Sequence, residues 1–278
     1  MNGTAGMDEL RTAIGREERH REAISPGLAQ RYLDTLAAGP ELGLMGIQWC
    51  LAPPSVPVAE TGPDGHPRKG QFLPAVPLPR RMWAGGSLTF HDDLRVGDDV
   101  ERVSRIADIS MKEGRSGALC FVAVEHSYET TRGVALRERH DIVYRAAAAP
   151  VPLAGVMADD DRPGDVSLEI EASSLLLFRY SALTFNGHRI HYDRDYAMRE
   201  EFYPGLVVHG PLQATFAMRL AASLDPGRRP ARFAFRGVSP LIDGGCFRVR
   251  ARRTAPDAVA LHVIASDGRL TTTADMTW

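Results

Sequence analysis

Two long passages of the chain alternate apolar and polar residues, a pattern that predicts half-buried β-strands. In each passage a Phe leads through Leu and Gly to a strand, and a hairpin and a closing strand follow. The first passage begins at Phe90 and closes over residues 140–144, and the second begins at Phe235 and closes over residues 271–278. Two unrelated β-meanders would look similar, but the repeated order favours a duplicated unit of one helix and a curled antiparallel sheet.

Two segments have the start signals and the periodicity of helices. Residues 25–36 begin with Ser25 as a cap and Pro26 in the first turn, and their apolar side chains share one face. Residues 209–222 begin with His209 and a Gly-Pro pair and carry an apolar stripe. The second segment predicts the buried central helix of its unit, and residues 26–37 are the weaker candidate in the other unit.

The remaining segments predict exposed or irregular structure. Residues 1–24 are strongly charged and predict a short solvated helix, whereas residues 52–79 are rich in Pro and Gly and predict a long loop. A small-residue stretch over 146–152 and an acidic stretch over 159–164 are typical of a flexible linker between two halves.

Composition and charge exclude several classes of function. The formal net charge is -2 and the pI is near 6.5, so no overall basic field draws the protein to nucleic acid or to an anionic membrane. No apolar run approaches the roughly 20 residues of a membrane span, and the N-terminus lacks an apolar signal core. The isolated cysteines Cys50, Cys120 and Cys246 argue against a disulfide framework or a cysteine zinc site, and they fit a reducing cytoplasm.

The most informative run is residues 178–193, where an apolar stretch precedes Asn186, His188 and His191. Two imidazoles and an amide in a bend between a predicted strand and a helix capped by Asp193 are placed as acid/base groups often are. Three other interpretations compete: a His-x-x-His metal site, satisfied core histidines, and an ordinary Asn-Gly turn. The absence of a His-Glu-x-x-His pattern disfavours a metal site, and none is predicted.

The second run is residues 204–213, in which a short apolar strand is predicted to meet a helix start at His209, Gly210 and Pro211. Pro211 alone is ordinary at a helix start. Because Gly210 has no side chain and Pro211 has no N–H, the Gly210 amide is the predicted donor to a developing negative charge at the positive end of the helix dipole. Together the two runs predict an enzyme that forms and quenches a charged intermediate.

In both runs the sequence resembles the MaoC-like hydratase/dehydratase family of hot-dog fold enzymes. In the family signature Asp-x-Asn-Pro-x-His, Asn186 stands in place of the catalytic Asp and His188 in place of the Asn. Arg189 replaces the Pro, and His191 matches the catalytic His. Gly210 matches the family glycine that supplies the oxyanion amide. The branch of hydroxyacyl-thioester dehydratases and of mesaconyl-CoA and itaconyl-CoA hydratases is the most similar, over residues 79–86, 178–193 and 204–213.

The resemblance implies an α+β double hot-dog fold, in which two fused units each wrap an antiparallel sheet round a central helix. Residues 1–150 would form a degenerate N-terminal unit and residues 151–278 the catalytic C-terminal unit. It also implies a hydro-lyase that adds or removes water at the double bond of a 2-enoyl thioester, with a dicarboxylic acyl-CoA such as mesaconyl-CoA or itaconyl-CoA as the first expectation. An acyl-CoA substrate, no cofactor, and a homodimer or larger homo-oligomer in the cytoplasm are expected.

One departure from the family pattern changes the expected site. The neutral amide of Asn186 cannot act as a general base, so Asn186 would orient a water or His191, and one or both imidazoles would move the protons. Substrate contacts are predicted at Arg179, Arg189 and His209. Three alternatives remain open: a hydroxyacyl-acyl-carrier-protein dehydratase, a hot-dog thioesterase, and a non-catalytic module that binds acyl thioesters.

Overall fold

The computed structural model describes residues 3–37, 43–114, 117–147, 155–163 and 165–278, and its main feature is one sheet of ten antiparallel strands. The strands are β1 (Glu17–Ala23), β2 (Arg80–Phe90), β3 (Asp99–Gly114), β4 (Gly117–Thr130), β5 (Gly133–Arg145), β6 (Val166–Glu171), β7 (Arg232–Gly237), β8 (Cys246–Ala255), β9 (Ala258–Ile264) and β10 (Leu270–Thr277). The helices are α1 (Gly3–Arg11), α2 (Pro26–Thr35), α3 (Ser174–Leu183), α4 (Arg194–Arg199) and α5 (Gly210–Ser223).

The strand order shows the predicted repeat. The sheet runs β1-β3-β4-β5-β2-β7-β10-β9-β8-β6, so the first five strands and the last five are arranged in the same way and meet at the β2–β7 pair. Each half therefore has its own curled sheet, joined edge to edge through its second strand. The division of the chain at residue 150 remains a prediction.

The two central helices differ in how much of their surface is covered. In α5 every side chain from Leu212 to Ala222 is buried, against β7, β8, β9 and β10. Helix α2 begins as predicted, with the Ser25 hydroxyl accepting a hydrogen bond from the Leu28 N–H at 3.1 Å. It is about one turn shorter than α5 and buries few side chains. The C-terminal half thus keeps a fully enclosed helix, and the N-terminal half has a partial one.

The β2–β7 junction depends on glycine. Gly85 pairs with Arg236 and Gly86 with Phe235. A Cβ atom at Gly85 would clash with the Phe235 carbonyl oxygen, and one at Gly86 would clash with the Arg139 carbonyl oxygen of β5. Because neither residue has a side chain, β2 can hydrogen-bond with a strand on each side.

Two local predictions were wrong. The charged segment around residues 16–22 is the edge strand β1, not a helix, and α1 occupies residues 3–11 of the predicted range. Cross-strand pairs hold β1 to β3, including the Arg21 Nε–H to Glu101 Oε1 hydrogen bond of 3.0 Å, and charged side chains are common on edge strands because they oppose further pairing. The apolar stretch before Asn186 is the helix α3, capped by the Ser173 hydroxyl, instead of a strand.

A third prediction, the strand expected before α5, is reduced to a single bridge. Val207 pairs with Ile242 alone, and the Val208 N–H donates to the Leu241 carbonyl oxygen at 2.8 Å. The Val207 N–H also donates to the Ile190 carbonyl oxygen at 2.9 Å, so two other segments of the C-terminal half hold this one. None of the helices in the described ranges is long and apolar enough to span a membrane.

The described residues in the acidic part of the predicted linker are bound to the sheet. Residues 148–154 and 164 lie outside the described residues, but Asp159 and Asp161 both accept hydrogen bonds from the buried Arg250 of β8. Asp165 and Asp159 are further bound by Arg252. The arginines of β8 therefore fix the acidic segment against the sheet.

We expect Arg250→Met to lower the free energy of unfolding by about 2 kcal/mol, because it removes a buried charged partner while the exposed sides of the carboxylates return to water. Arg248→Met is the matched control, since Arg248 pairs with Asp161 from the same strand but its side chain is 41% exposed against 1% for Arg250. Urea unfolding of both variants measures the difference. Equal, small effects would mean that the acidic segment is not fixed by Arg250.

Candidate active site

The chain between α3 and α4 forms a tight turn that its own side chains stabilise. The Asn186 side-chain oxygen accepts a hydrogen bond of 3.0 Å from the His188 backbone N–H, and a 3-10 turn follows over Arg189–His191. The Asp193 carboxylate then caps α4 by accepting from the Tyr196 N–H at 3.0 Å, as predicted. The motif therefore lies in a tight turn that joins helices α3 and α4.

His191 has one ring nitrogen occupied and the other available. Its Nδ1–H donates to the Val207 carbonyl oxygen at 2.7 Å, so Nε2 carries the lone pair. The ring stacks on that of His209, with centroids 3.7 Å apart. Burial, followed by the neighbouring His209 and His188, lowers the pKa of His191 well below its usual 6.5. At neutral pH, His191 is a neutral imidazole whose Nε2 can accept a proton.

His209 is fully buried beside His191. Its Nε2 lies 2.8 Å from the Ser181 hydroxyl of α3, and burial, followed by the neighbouring His188, lowers its pKa to about 3. These contacts favour a role in holding the His191 ring. The predicted contact of His209 with substrate stays a prediction.

Gly210 is the first residue of α5. The first N–H groups of a helix have no partner within it, and Pro211 has none to offer, so the Gly210 amide projects from the positive end of the helix dipole. Outside its chain neighbours and its own helix backbone, a Cβ at this position would meet only the Trp83 carbonyl oxygen, at 3.9 Å. The space that a Gly210 side chain would take is therefore free of close contacts, and the preceding residue is His209, whose ring stacks on that of His191.

His188 is paired with a carboxylate that the sequence did not indicate. Its Nε2–H donates to Glu201 Oε1 at 3.2 Å, and Glu201 also accepts from the Tyr196 hydroxyl at 3.3 Å and forms an ion pair with Arg80. Burial would raise the pKa of Glu201, but the hydrogen bond to His188 and the Arg80 charge hold the pKa below its usual value. Glu201 is therefore ionised, and it orients the His188 ring.

A second carboxylate–imidazole pair comes from the N-terminal half. His66 Nδ1–H donates to Asp64 Oδ2 at 3.0 Å, and the His66 backbone N–H donates to Asp64 Oδ1 at 3.1 Å. The His66 ring lies against that of His188, with centroids 4.2 Å apart. Burial, followed by the positive charge of Arg81, lowers the pKa of His66 to about 3, so this imidazole is also neutral at neutral pH.

Sequence reasoning missed this pair. Asp64-Gly65-His66 lies in the loop predicted over residues 52–79, and an Asp-Gly turn in such a loop is typical of ordinary turn chemistry. No spacing links it to His188, which is more than a hundred residues away.

Backbone contacts fix this loop on the motif. The Arg189 N–H donates to the Asp64 carbonyl oxygen at 2.9 Å, and Arg189 Nη1 donates to the Pro63 carbonyl oxygen at 3.0 Å. Gly65 and Gly187 face each other so closely that a Cβ on Gly65 would clash with the Gly187 carbonyl oxygen. The site is therefore built from both halves of the chain.

The structure separates the two arginines predicted to bind substrate. The Arg189 guanidinium donates twice to Asp193 Oδ2, at 3.0 and 2.7 Å, and lies 4.2 Å from the centroid of the Tyr196 ring. Arg179 lies on the exposed face of α3, in a groove of about 770 Å³ lined also by Arg21 and Arg31 but not by His188 or His191. The substrate contacts of both arginines remain predictions.

Asp64, His66 and His188 could in principle hold a cation, since one potential ligand atom from each lies within 4.8 Å of the others. Asp64 and His66 are hydrogen-bonded to each other, and His188 is hydrogen-bonded to Glu201. Among the described residues, these two hydrogen-bonded pairs account for the short distances between the three side chains. The expectation of no metal remains a prediction, and chelation tests it.

We expect Gly65→Ala to destabilise the protein by about 3 kcal/mol or more, because it combines a left-handed backbone (φ of +86°) with the clash against Gly187. Gly70→Ala is the matched control: its φ is +94°, but its Cβ would meet only Ala75 Cβ, at 3.5 Å, so about 1 kcal/mol is expected. Urea unfolding compares them. Equal losses would contradict the close packing of the loop on the motif.

Comparisons with known proteins agree with the predicted family. Residues 46–243 match the family model described as hydroxyacyl-thioester dehydratase type 2. A mesaconyl-C(4)-CoA hydratase of Chloroflexus aurantiacus is 43% identical over 220 residues, which cover 79% of this chain and 78% of the relative.

Solved structures share the fold at low sequence identity. A MaoC-like dehydratase superposes with a TM-score of 0.74 at 14% identity, over 96% of this chain and 98% of the other. A Mycobacterium tuberculosis protein described as having a double hotdog fold superposes with a TM-score of 0.56 at 14% identity, over 95% of both chains. The predicted double hot-dog fold is confirmed. Because the family model spans most of the chain and the C. aurantiacus relative is 43% identical, the protein belongs to the hydroxyacyl-thioester dehydratase type 2 family.

Proposed function

We propose that the protein catalyses the reversible addition of water to the double bond of a 2-enoyl-CoA thioester. The observation that carries this proposal is the start of α5, where the Gly210 amide follows His209, whose ring stacks 3.7 Å from the neutral ring of His191. An oxyanion donor beside an acid/base group is the minimum that the reaction needs.

The thioester carbonyl oxygen accepts a hydrogen bond from the Gly210 amide. When water adds at the β-carbon, the electron pair of the double bond moves towards the thioester and negative charge develops on this oxygen. The amide at the positive end of the α5 dipole stabilises that charge more than it stabilises the neutral carbonyl.

His191 exchanges the proton at the α-carbon. Its Nδ1–H is held by the Val207 carbonyl oxygen, so the nitrogen that faces the reaction is Nε2. Burial keeps the imidazole neutral, which suits removal of the α-proton in the dehydration direction.

Water is held by the turn that carries the motif. The Asn186 side-chain oxygen is already bound to the His188 N–H, which leaves the two amide N–H donors of Asn186 for a water molecule. His188, oriented by Glu201, lies beside it.

A second carboxylate on the acyl group is the proposed feature of the substrate, as in mesaconyl-CoA. The C. aurantiacus relative is named for mesaconyl-C(4)-CoA, and Arg81 offers a positive charge near the imidazoles. Arg81 is half-buried on β2, lowers the pKa of the adjacent His66 and Asp64, and forms no ion pair with a carboxylate of the described residues. Arg81 is a better candidate for binding this second carboxylate than Arg189, whose guanidinium is already bound to Asp193.

We further propose that the enzyme works in the cytoplasm as a homodimer or larger homo-oligomer. The free thiols of Cys50, Cys120 and Cys246 fit a reducing compartment. Light scattering of the purified protein tests the oligomeric state, and a monomer at working concentration contradicts it.

Purified protein should consume mesaconyl-CoA and crotonyl-CoA with loss of the conjugated-thioester absorbance and formation of a product heavier by one water, with mesaconyl-CoA preferred. His191→Ala should lower kcat about 100- to 10,000-fold. His91→Ala, at an exposed residue just after β2, is the control and should keep full activity. Release of free CoA without hydration would indicate a thioesterase, and binding without turnover would indicate a non-catalytic module.

Gly210→Val should lower kcat/KM roughly 100- to 1000-fold, comparable with the loss of one oxyanion donor, because the added methyl groups would crowd the carbonyl position. Gly27→Val, in the first turn of α2, is the matched control in the N-terminal half and should keep the rate. Thermal unfolding is measured on the same preparations. A folded Gly210→Val enzyme with full activity would remove this helix start from the mechanism.

A further inference from the structure

We propose that His66 is a second catalytic residue, the base that activates water, and that the N-terminal half therefore supplies part of the chemistry. The inference rests on the hydratase function proposed above and names the group that replaces the missing carboxylate of the motif.

The site needs such a group. Water addition moves one proton off the attacking water and places one on the α-carbon, and two positioned acid/base groups do this best. Asn186 stands where the family motif has an Asp, and an amide cannot take a proton at neutral pH. His191 accounts for the α-carbon, so the group that faces the water is unassigned.

The His66 imidazole is oriented as a proton acceptor. A carboxylate can only accept hydrogen bonds, so the 3.0 Å contact with Asp64 places the proton on Nδ1 and leaves the lone pair on Nε2. Asp64 is itself fixed by the His66 backbone N–H. A carboxylate that sets the tautomer and orientation of a histidine is the arrangement that general bases use.

His66 is also better exposed than His188. The His66 side chain is 21% exposed, against 9% for His188. His188 lies between the other two imidazoles, with ring centroids 4.2 Å from His66 and 5.4 Å from His191. Its Nε2–H is bound to Glu201, whereas His66 keeps Nε2 free and is the more exposed ring.

The step balances without a co-reactant. Water loses a proton to His66 Nε2 as its oxygen bonds to the β-carbon, and the electron pair of the double bond moves to the thioester oxygen at the Gly210 amide. The His66 imidazolium releases this proton to solvent, and His191 takes up one proton on Nε2 and delivers it to the α-carbon as the carbonyl re-forms. The product is the 3-hydroxyacyl thioester, and every imidazole returns to its neutral form.

The docking of the loop provides the accuracy that catalysis requires. The hydrogen bond from the Arg189 N–H to the Asp64 carbonyl oxygen joins the Asp64–His66 pair to the residue next to His188. The facing glycines Gly65 and Gly187 allow the two backbones to approach. A surface loop without a role at the site would not need so close an attachment to the motif.

The test is His66→Ala with imidazole added to the assay. We expect kcat to fall about 100- to 10,000-fold, the unfolding midpoint to stay close to that of the wild type, and added imidazole to restore part of kcat in a concentration-dependent way. His91→Ala with and without imidazole is the control and should not respond. Asp64→Asn, which alters a positioning residue, should lower kcat less than His66→Ala does and leave KM unchanged.

The outcomes separate this inference from the proposed function. A wild-type enzyme that hydrates no enoyl-CoA overturns both. Wild-type turnover with undiminished His66→Ala activity, or with a loss that imidazole does not restore, overturns the role of His66 alone. Dialysis of the wild type against EDTA should leave turnover unchanged, and loss of activity that zinc restores would instead make His66 a metal ligand.

Discussion

The antiparallel pairing of β2 with β7 determines where everything else in the molecule lies. It joins the two halves into one sheet, and Gly85 and Gly86 permit it because they bring no side chains into the junction. The loop over residues 61–79 leads directly into β2, and α5 leads into β7. Pairing these strands therefore brings the loop of one half to the helix start of the other, and the candidate site forms where they meet.

Desolvation governs the chemistry at this meeting point. Burial lowers the pKa of His66, His191 and His209, so the rings stay neutral and pack against one another without charge repulsion. Their protons are directed by fixed partners: Asp64 for His66, the Val207 carbonyl oxygen for His191. Neutral imidazoles with defined tautomers can accept a proton and then return it, so the buried site ends each turnover with the charge at which it began.

The two halves of the duplication have diverged in complementary ways. The C-terminal half keeps the enclosed helix α5, whose first amide is the proposed oxyanion donor. In the N-terminal half α2 is short, and the segment from Phe72 to Leu78 covers part of the sheet instead, packed in a second apolar cluster. Further along the same sheet, the buried Glu138 accepts hydrogen bonds from Trp49 and Tyr128. This loop carries Asp64 and His66 to the site.

Local patterns in the sequence were sufficient for α2, α5, the repeated strands and the run from Asn186 to His191, because caps, periodicity and turn residues act over a few positions. They were insufficient for β1 and α3, since a charged edge strand has the composition of a solvated helix and a largely apolar helix has that of a strand. Family resemblance identified the double hot-dog fold and the motif. Only the tertiary structure decided the partners of the motif, which are Glu201, Asp64 and His66. Asp64 and His66 reach His188 because strands of the two halves pair, and no sequence pattern over a few residues predicts a contact between such distant positions.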